Sequence, residues 1–395
     1  MKYAETIFKY AENIMVVKFL CERVPLWFLS LLLRVFAKIF FEEFLNKQPE
    51  FVVPHNSFRR LIDGIHMRKH GLSPYDGDML HCQPVLLDLF EPVIDHPNVV
   101  LGLFIILDTL TAEVLNFIAI THLRANGDSK SEEEKLRISS FIMKFYLLNP
   151  VAIGSCAISS LSVLNNFLVS VFIMSFVKGW ILNCSILLSL LVHFSLYQFI
   201  YIVALFVRFP IAKKILLFLA TFIISFFGMV IINYCSDGGF DYINSTFMFQ
   251  LEVRDLSPNL GIFCYCKNRI CRSNSFLLLY QFLILVSVFS SYPTVSDNLI
   301  YLCLLPVFIS LHKYLRWELI IGGTMVSCLI LAPIMWRMWV TTGSGNANFY
   351  FAIALCYSVA QILLLTDLLY AFVRQEANKN RNLTETDNVS LFVLK

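Results

Sequence analysis

The sequence predicts an all-α fold, a polytopic membrane helix bundle of about ten segments, and three observations carry this prediction. Of the 395 residues, 57% are hydrophobic and 15% are charged, whereas soluble domains carry roughly 25% charged residues. The apolar residues are gathered in runs, many of them near the ~20 residues that a helix needs to cross the hydrocarbon core. Other runs are shorter, which favours re-entrant or half helices. A soluble enzyme, a coiled coil and a disordered chain are excluded, because none of them can hide this much apolar surface.

The first membrane segment is predicted at residues 24–41, and lysines precede it. Its position favours an uncleaved anchor over a cleaved signal peptide. Arg34 and Lys38 interrupt the apolar pattern, and we expect both side chains to snorkel toward a membrane interface. A polar stretch without a clear span follows this segment.

The second segment, residues 98–120, contains Asp108 and Glu113, and the last apolar run contains Asp367. A charge inside a span costs about 2.5–3.5 kcal/mol on insertion scales, so each acid requires a compensating arrangement. Two arrangements are open from the sequence. The acids either face a polar cavity with a functional role or are satisfied by partners within the bundle.

Residues 138–233 are almost continuously apolar, which predicts four or five helices on short hinges. The hinges are predicted at polar or helix-breaking positions, namely Asn149-Pro150, Asn165-Asn166, Lys178-Gly179, Arg208-Phe209-Pro210 and Lys213-Lys214. Four apolar runs close the membrane region, at residues 276–291, 299–311, 319–340 and 349–373.

The orientation follows from short loops rich in lysine and arginine, because such loops usually stay on the cytosolic side. The loop 122–137 and the tail 374–395 are therefore predicted to be cytosolic, and the polar stretches 42–97 and 234–275 to be lumenal. Residues 1–395 are expected to form a single multi-pass membrane domain. The net charge of +3 is too small to indicate nucleic acid as a partner.

Two patterns in the lumenal stretches resemble metal sites. Asp76 and Asp78 form a D-x-D sequence in a turn, where two carboxylates could hold a divalent cation on a phosphate. The alternative is an ordinary solvated turn. Cys264, Cys266 and Cys271 lack the fourth ligand of a zinc site, so a disulfide or free thiols are favoured. We predict no metal site and no cofactor.

The most informative turn covers residues 341–348, between two strong spans. Its glycines free the backbone, and Ser344, Asn346 and Asn348 supply neutral hydrogen-bond donors and acceptors at a predicted lumenal membrane edge. Such groups suit the hydroxyls of a sugar. The alternative is structural, an asparagine that caps the following helix.

Short pieces spread along almost the whole chain carry a resemblance to a known family. They are GLSPY at 71–75, YLLNP at 146–150 with Asn165-Asn166 beyond it, DLSPNLG at 255–261, SYPTVSD at 291–297, GSGNANF at 343–349, QILLLTD at 361–367 with YAF at 370–372, and the terminal VLK. Taken in this order, they resemble the multi-pass U subunit of the glycosylphosphatidylinositol (GPI) transamidase complex, the PIG-U family. The acidic D-x-D pair and the three-cysteine pattern are not family features.

The resemblance implies a non-catalytic subunit of a membrane complex in the endoplasmic reticulum. The complex as a whole cleaves a protein's C-terminal signal and attaches a GPI lipid to the new carboxyl end. The resemblance also implies a fold related to that of the multi-pass lipid-linked glycosyltransferases, without their activity. The nucleophilic cysteine and its histidine would belong to a separate protease-like subunit, and lumenal and membrane accessory subunits would be further partners. The subunit is expected to help bind the GPI lipid and its glycan, with the apolar tail of the signal peptide as an additional candidate ligand.

Under this hypothesis, uncharged side chains bond the glycan, and aromatic rings lie at the level of the lipid headgroups. The predicted binding residues are Asn346, Asn348, Ser344, Phe349, Trp336 and Trp339. The helices at 319–340 and 349–373 would line the lipid cleft, and no residue is predicted to be catalytic. Two alternatives stay open: a lipid-linked sugar transferase that uses Asp76 and Asp78, and a pure scaffold subunit.

Overall fold

A computed structural model describes residues 2–77, 79–125, 131–237, 239–251 and 274–381, and side chains from residue 23 to residue 378 within those ranges. These ranges are helical and contain no strand. Seven of their helices are long and apolar enough to cross a membrane, or eight if one bent pair is a single span. Three shorter apolar helices accompany them. The prediction of an all-α polytopic bundle with short segments is confirmed.

The helices used below are numbered in chain order. They are α1 Lys2–Leu45, α2 Phe58–Lys69, α3 Pro84–Phe90, α4 Pro97–Ala125, α5 Glu132–Leu147, α6 Pro150–Ala157, α7 Leu161–Lys178, α8 Ile181–Phe194, α9 Tyr201–Arg208, α10 Ala212–Asp237, α11 Ser275–Phe289, α12 Val295–Tyr314, α13 Glu318–Val340 and α14 Ala347–Arg381.

The chain divides into two compact units. The first comprises the described residues within 1–196, 218–252 and 294–303, and the second comprises the described residues within 197–217, 253–293 and 304–395.

In the first unit, α1 is bound to α4 by a buried ion pair. The Arg34 side chain is fully buried, and its Nε donates to Oδ2 of Asp108 at 2.8 Å. The prediction that Arg34 snorkels to an interface was wrong, because α4 places a carboxylate directly opposite the guanidinium. Lys38 does not have such a buried partner. Its Nζ lies 2.6 Å from Oε1 of Glu42 on the same helix.

The break between α5 and α6 lies at the predicted Asn149-Pro150 hinge, where the two helices bend by 44°. Pro150 has no N–H to continue the helix, and the Asn149 side chain accepts the N–H of Val151 at 2.9 Å. The carbonyl of Leu147 is bonded by Nη1 of Arg34 at 3.1 Å instead. The local sequence therefore causes the break, and a side chain from α1 satisfies a carbonyl group beside it.

The other predicted hinges had mixed outcomes. Gly179 ends α7 with a φ of 78°, and residues 209–211 separate α9 from α10, as predicted. The hinge at Asn165-Asn166 was wrong, because both residues lie inside α7 and Asn166 donates to the carbonyl of Ser296 at 3.1 Å. The hinge at Lys213-Lys214 was wrong as well, because both lysines lie in the first turn of α10.

The polar stretch after α1 folds onto one end of the first unit. Its helices α2 and α3 contribute apolar side chains to a buried cluster that includes Phe58, Leu61, Ile65, Leu87, Phe90 and Phe104. This packing explains how a polar, non-spanning segment is held in place, since burial of each large apolar side chain contributes about 1.5–3 kcal/mol.

The two stretches that were both predicted to be lumenal meet at this end of the first unit. Nδ1 of His81 donates to the carbonyl of Ser245 at 2.8 Å, and the His81 ring stacks on the ring of Phe249. Gln83 bonds both Asn233 and the carbonyl of His193 at 3.0 Å. The shared side agrees with the predicted orientation, which stays a prediction.

In the second unit, α11 is the buried helix and the α13–α14 hairpin is the exposed one. Residues 276–285 of α11 are all buried, and Ser287 donates to Gln361 of α14 at 2.8 Å. By contrast, α13 has only four buried residues in its length, Ile321, Met325, Cys328 and Ala332. Helix α13 and the first half of α14 therefore leave many apolar side chains exposed.

Candidate functional site

The turn between α13 and α14 is an ordered structure of hydrogen bonds. The Thr342 hydroxyl donates to the carbonyl of Met338 at 3.1 Å, and the N–H of Gly345 donates to the same carbonyl at 3.1 Å. The Ser344 hydroxyl lies 2.7 Å from the Thr342 hydroxyl. Gly343 has a φ of 62°, a left-handed conformation that favours glycine. The turn thus holds its polar groups in fixed positions at the tip of the hairpin.

Asn346 has the structural role that the sequence left open. Its Oδ1 accepts the N–H of Asn348 at 3.0 Å, so Asn346 caps the first turn of α14. Both asparagines are exposed. Within the described ranges, the amide nitrogen of Asn346 and the whole side chain of Asn348 have no hydrogen-bond partner in the protein. The capping interaction therefore leaves donors and an acceptor available to a ligand.

An aromatic cluster lies directly below the turn. The rings of Trp336 and Trp339 are 5.3 Å apart at 88°, and the rings of Trp336 and Tyr350 are 5.4 Å apart at 60°. The sequence pattern does not single out Tyr350, although its position early in α14 places it level with the end of α13. Phe349 is more than half exposed and makes no ring contact in the part of the chain that the structure describes.

Below this cluster, the outward surfaces of α13 and α14 are apolar. The exposed large apolar side chains include Ile320, Val326, Ile330 and Ile334 on α13, and Phe351, Leu355, Val359 and Leu363 on α14. They extend along α13 and along the first half of α14, away from the polar tip. The hairpin thus combines an uncharged polar tip, an aromatic layer and an apolar surface in that order.

Asp367 fastens the opposite end of the hairpin. Its Oδ2 accepts the backbone N–H groups of Arg316 at 3.0 Å and Trp317 at 3.1 Å, directly before α13 begins. The Arg316 guanidinium lies over the Tyr370 ring, 3.6 Å from its centroid. Asp367 is therefore satisfied by partners within the protein, which was one of the two arrangements that the sequence left open.

The acids of α4 are satisfied by partners too. Asp108 accepts from Arg34 and from the Tyr146 hydroxyl, the latter at 2.7 Å. Glu113 is paired with Arg23 and accepts the indole N–H of Trp27 at 3.1 Å. Structural pairing accounts for both carboxylates without a polar cavity.

The patterns that suggested metal sites are only partly within the described residues. Asp76 is exposed, and its N–H bonds the carbonyl of Ser73 at 3.3 Å in a turn. Asp78 lies outside the described residues. The three cysteines of the C-x-C-x4-C pattern, Cys264, Cys266 and Cys271, lie outside them as well. The described part of the chain brings together no group of three or more histidine, cysteine or acidic side chains suited to a metal ion.

Asn244-Ser245-Thr246 matches the N-x-S/T sequon for N-glycosylation, and it lies in a short π-helix. Asn244 itself is exposed, but Thr246 is buried and its hydroxyl donates to the carbonyl of Tyr242 at 2.7 Å. The hydroxyl of this sequon is therefore engaged within the fold.

Comparison with known proteins identifies the family. The family model described as GPI transamidase subunit PIG-U matches residues 28–266 and 268–357. The "GPI-anchor transamidase component PIGU" proteins of Cricetulus griseus and Homo sapiens are each 29% identical, over 85% of this chain and 89% of theirs. The "GPI transamidase component GAB1" of Saccharomyces cerevisiae is 24% identical over 84% of this chain and 89% of its own. The chain belongs to the PIG-U family of GPI transamidase subunits.

Proposed function

We propose that this chain is a non-catalytic membrane subunit of the GPI transamidase complex and that its α13–α14 hairpin helps to bind the GPI lipid. The names of its relatives support membership of the complex, in the endoplasmic reticulum membrane. The catalytic cysteine and histidine belong to a separate protease-like subunit, and the accessory subunits complete the list of protein partners.

One observation carries the lipid-binding role, the order of surfaces along the hairpin. A GPI lipid presents apolar chains inside the bilayer, a phosphate at the interface and a chain of sugars above it. The hairpin presents apolar side chains along α13 and α14, then the Trp336 cluster, then the amide nitrogen of Asn346 and the side-chain amide of Asn348, in the same order. Uncharged amides can donate to and accept from sugar hydroxyls.

The test is the double variant Asn346→Ala/Asn348→Ala, expressed in cells that lack the wild-type chain. Each lost hydrogen bond costs roughly 0.5–1.5 kcal/mol, so the double variant is expected to lower GPI attachment to a reporter by about 5- to 160-fold at limiting GPI. Complete GPI and uncleaved precursor should accumulate. Unchanged attachment would refute the binding role.

The control is Asn346→Asp, which keeps an oxygen to cap Asn348 but replaces the amide donor. If Asn346→Asp retains the stability of the wild type and still reduces attachment, the amide acts on the ligand and not only on the helix. If a truncated glycan accumulates in the double variant instead of complete GPI, the chain acts as a sugar transferase and the proposal fails. If photoreactive GPI labels other subunits and never this chain, the scaffold alternative replaces it.

A further inference from the structure

The aromatic cluster and Arg337, which follows Trp336 in the sequence of α13, have the features of a headgroup site. The Trp336 ring packs edge to face against two other rings. Its centroid lies 5.3 Å from that of Trp339 and 5.4 Å from that of Tyr350. Arg337 follows Trp336 directly on α13 and is exposed. In the described part of the chain, its guanidinium makes no ion pair and no hydrogen bond.

These two kinds of group bind opposite charges. Tryptophan and tyrosine rings attract ammonium groups through their electron-rich faces, most strongly when more than one ring lies within about 6 Å of the cation. An unpaired guanidinium bonds phosphate oxygens. A ligand that carries an ammonium and a phosphate only a few bonds apart can use both, and phosphoethanolamine and phosphocholine groups have this structure.

The position on the hairpin fits such a ligand. The cluster lies between the uncharged tip at residues 341–348 and the apolar outward faces of α13 and α14. Tryptophan and tyrosine at this level are typical of a membrane interface, where lipid headgroups lie. We propose that Trp336, Trp339, Tyr350 and Arg337 form a binding site for an ammonium-bearing phosphoester headgroup.

Two sources carry this chemistry, a bilayer phospholipid and a phosphoethanolamine group on a glycolipid. The glycolipid source rests on the proposed function, whereas the phospholipid source does not. The experiment must therefore separate the headgroup from the lipid that bears it.

The test uses the full-length chain purified in detergent, with any subunits that co-purify, and counts retained lipids by native mass spectrometry. The probes have matched acyl chains: phosphatidylethanolamine and phosphatidylcholine carry an ammonium, and phosphatidylglycerol does not. A phosphoethanolamine-bearing glycolipid is compared with the same glycolipid after removal of that group. The wild type is expected to prefer each ammonium-bearing lipid over its counterpart by about 2- to 30-fold.

The variants separate recognition from folding. Trp336→Leu should abolish the ammonium preference, Trp336→Phe should retain part of it, and Arg337→Gln should weaken retention of all phosphate-bearing probes. Trp317→Leu is the matched control, because Trp317 is an exposed tryptophan at the opposite end of α13. It should leave the preference unchanged.

Each outcome decides the proposal. The site is supported if the ammonium preference falls from the wild type to Trp336→Phe and falls further in Trp336→Leu, while phosphatidylglycerol retention stays unchanged. An equal loss of all lipids in Trp336→Leu indicates general destabilisation and overturns it, as does the absence of any ammonium preference in the wild type. If the preference is present while Asn346→Ala/Asn348→Ala leaves GPI attachment intact, the headgroup site stands and the proposed function fails.

Discussion

Arg34 and Asp108 lie 2.8 Å apart, Nε to Oδ2, and neither side chain is open to solvent. They are separated by 74 positions in the sequence. The pair joins α1 to α4, and the same guanidinium bonds the Leu147 carbonyl at the end of α5. One buried cation therefore connects three membrane helices at the point where the α5–α6 span is broken.

Removal of either partner of this pair should destabilise the chain strongly. Arg34→Leu leaves the Asp108 carboxylate buried with only Tyr146 as a partner, and such losses cost about 3–5 kcal/mol. The midpoint of thermal unfolding in detergent measures the effect. The double variant Arg34→Leu/Asp108→Leu should recover much of the loss, because no charge is then left unpaired. Lys38→Gln, which affects a partly exposed pair, should cost at most about 1 kcal/mol. Equal midpoints for Arg34→Leu and Lys38→Gln would contradict the prediction.

Asp367→Ala should loosen the start of α13. The variant removes the acceptor of two backbone N–H groups, and the loss of a helix cap costs about 0.5–2 kcal/mol. Backbone hydrogen exchange at Arg316 and Trp317 should become about 2- to 30-fold faster. Asp367→Asn keeps an oxygen in place and is the control. If both variants exchange at the wild-type rate, Asp367 does not hold the hairpin.

Gly154→Ala tests the contact between α6 and the segment after α1. A Cβ atom at Gly154 would lie 2.9 Å from Cε1 of Phe51, and overpacking of this kind costs about 1–3 kcal/mol. Phe51→Leu should relieve part of the loss in the double variant. Gly102→Ala is the control, because a Cβ atom at Gly102 meets nothing within 4 Å. Thermal midpoints that fall equally for both alanine variants would refute the close approach.

The stability of the chain should depend on pH through His55. Burial first, and then the nearby His81, lowers the pKa of His55 from 6.5 to about 4. The folded state therefore favours the neutral ring, so this contribution to stability is complete above about pH 6.5 and is lost as the pH falls toward 4. In His55→Gln, the midpoint of thermal unfolding should depend less on pH over that range than in the wild type. A wild-type midpoint that is constant from pH 6.5 to pH 4 would show that the ring is not held neutral.

Part of the fold could be predicted because its causes are local. Pro150 lacks a backbone donor and Gly179 adopts a positive φ, so the ends of α5 and α7 could be predicted from a few neighbouring residues. Asn165 and Asn166 give the same polar signal inside an apolar run, but the hinge predicted there is wrong, because both residues lie inside α7. The difference is a distant acceptor, the carbonyl of Ser296, which satisfies Asn166 within an unbroken helix.

In the candidate site too, some features have local causes in the sequence, whereas others depend on how distant segments pack. The uncharged tip could be predicted from the composition of residues 341–348, since glycine, serine and asparagine between two spans indicate a polar turn. The role of Asn346 as a cap depends on the distance from its Oδ1 to the N–H of Asn348. The addition of Tyr350 to the tryptophan pair, and the separation of Phe349 from it, depend on how α13 and α14 pack.

The sequence by itself determined that this protein is a helical membrane bundle, because hydrophobicity and length are summed over one continuous segment and require no partner. It also determined the family, through short motifs in a constant order. Only the tertiary structure decided what the charged residues inside the spans do. Arg34, Asp108 and Asp367 could each have faced an interface, a cavity or a partner. In each case the answer was a group far along the chain, because a buried charge is stable only where another element supplies its counterpart.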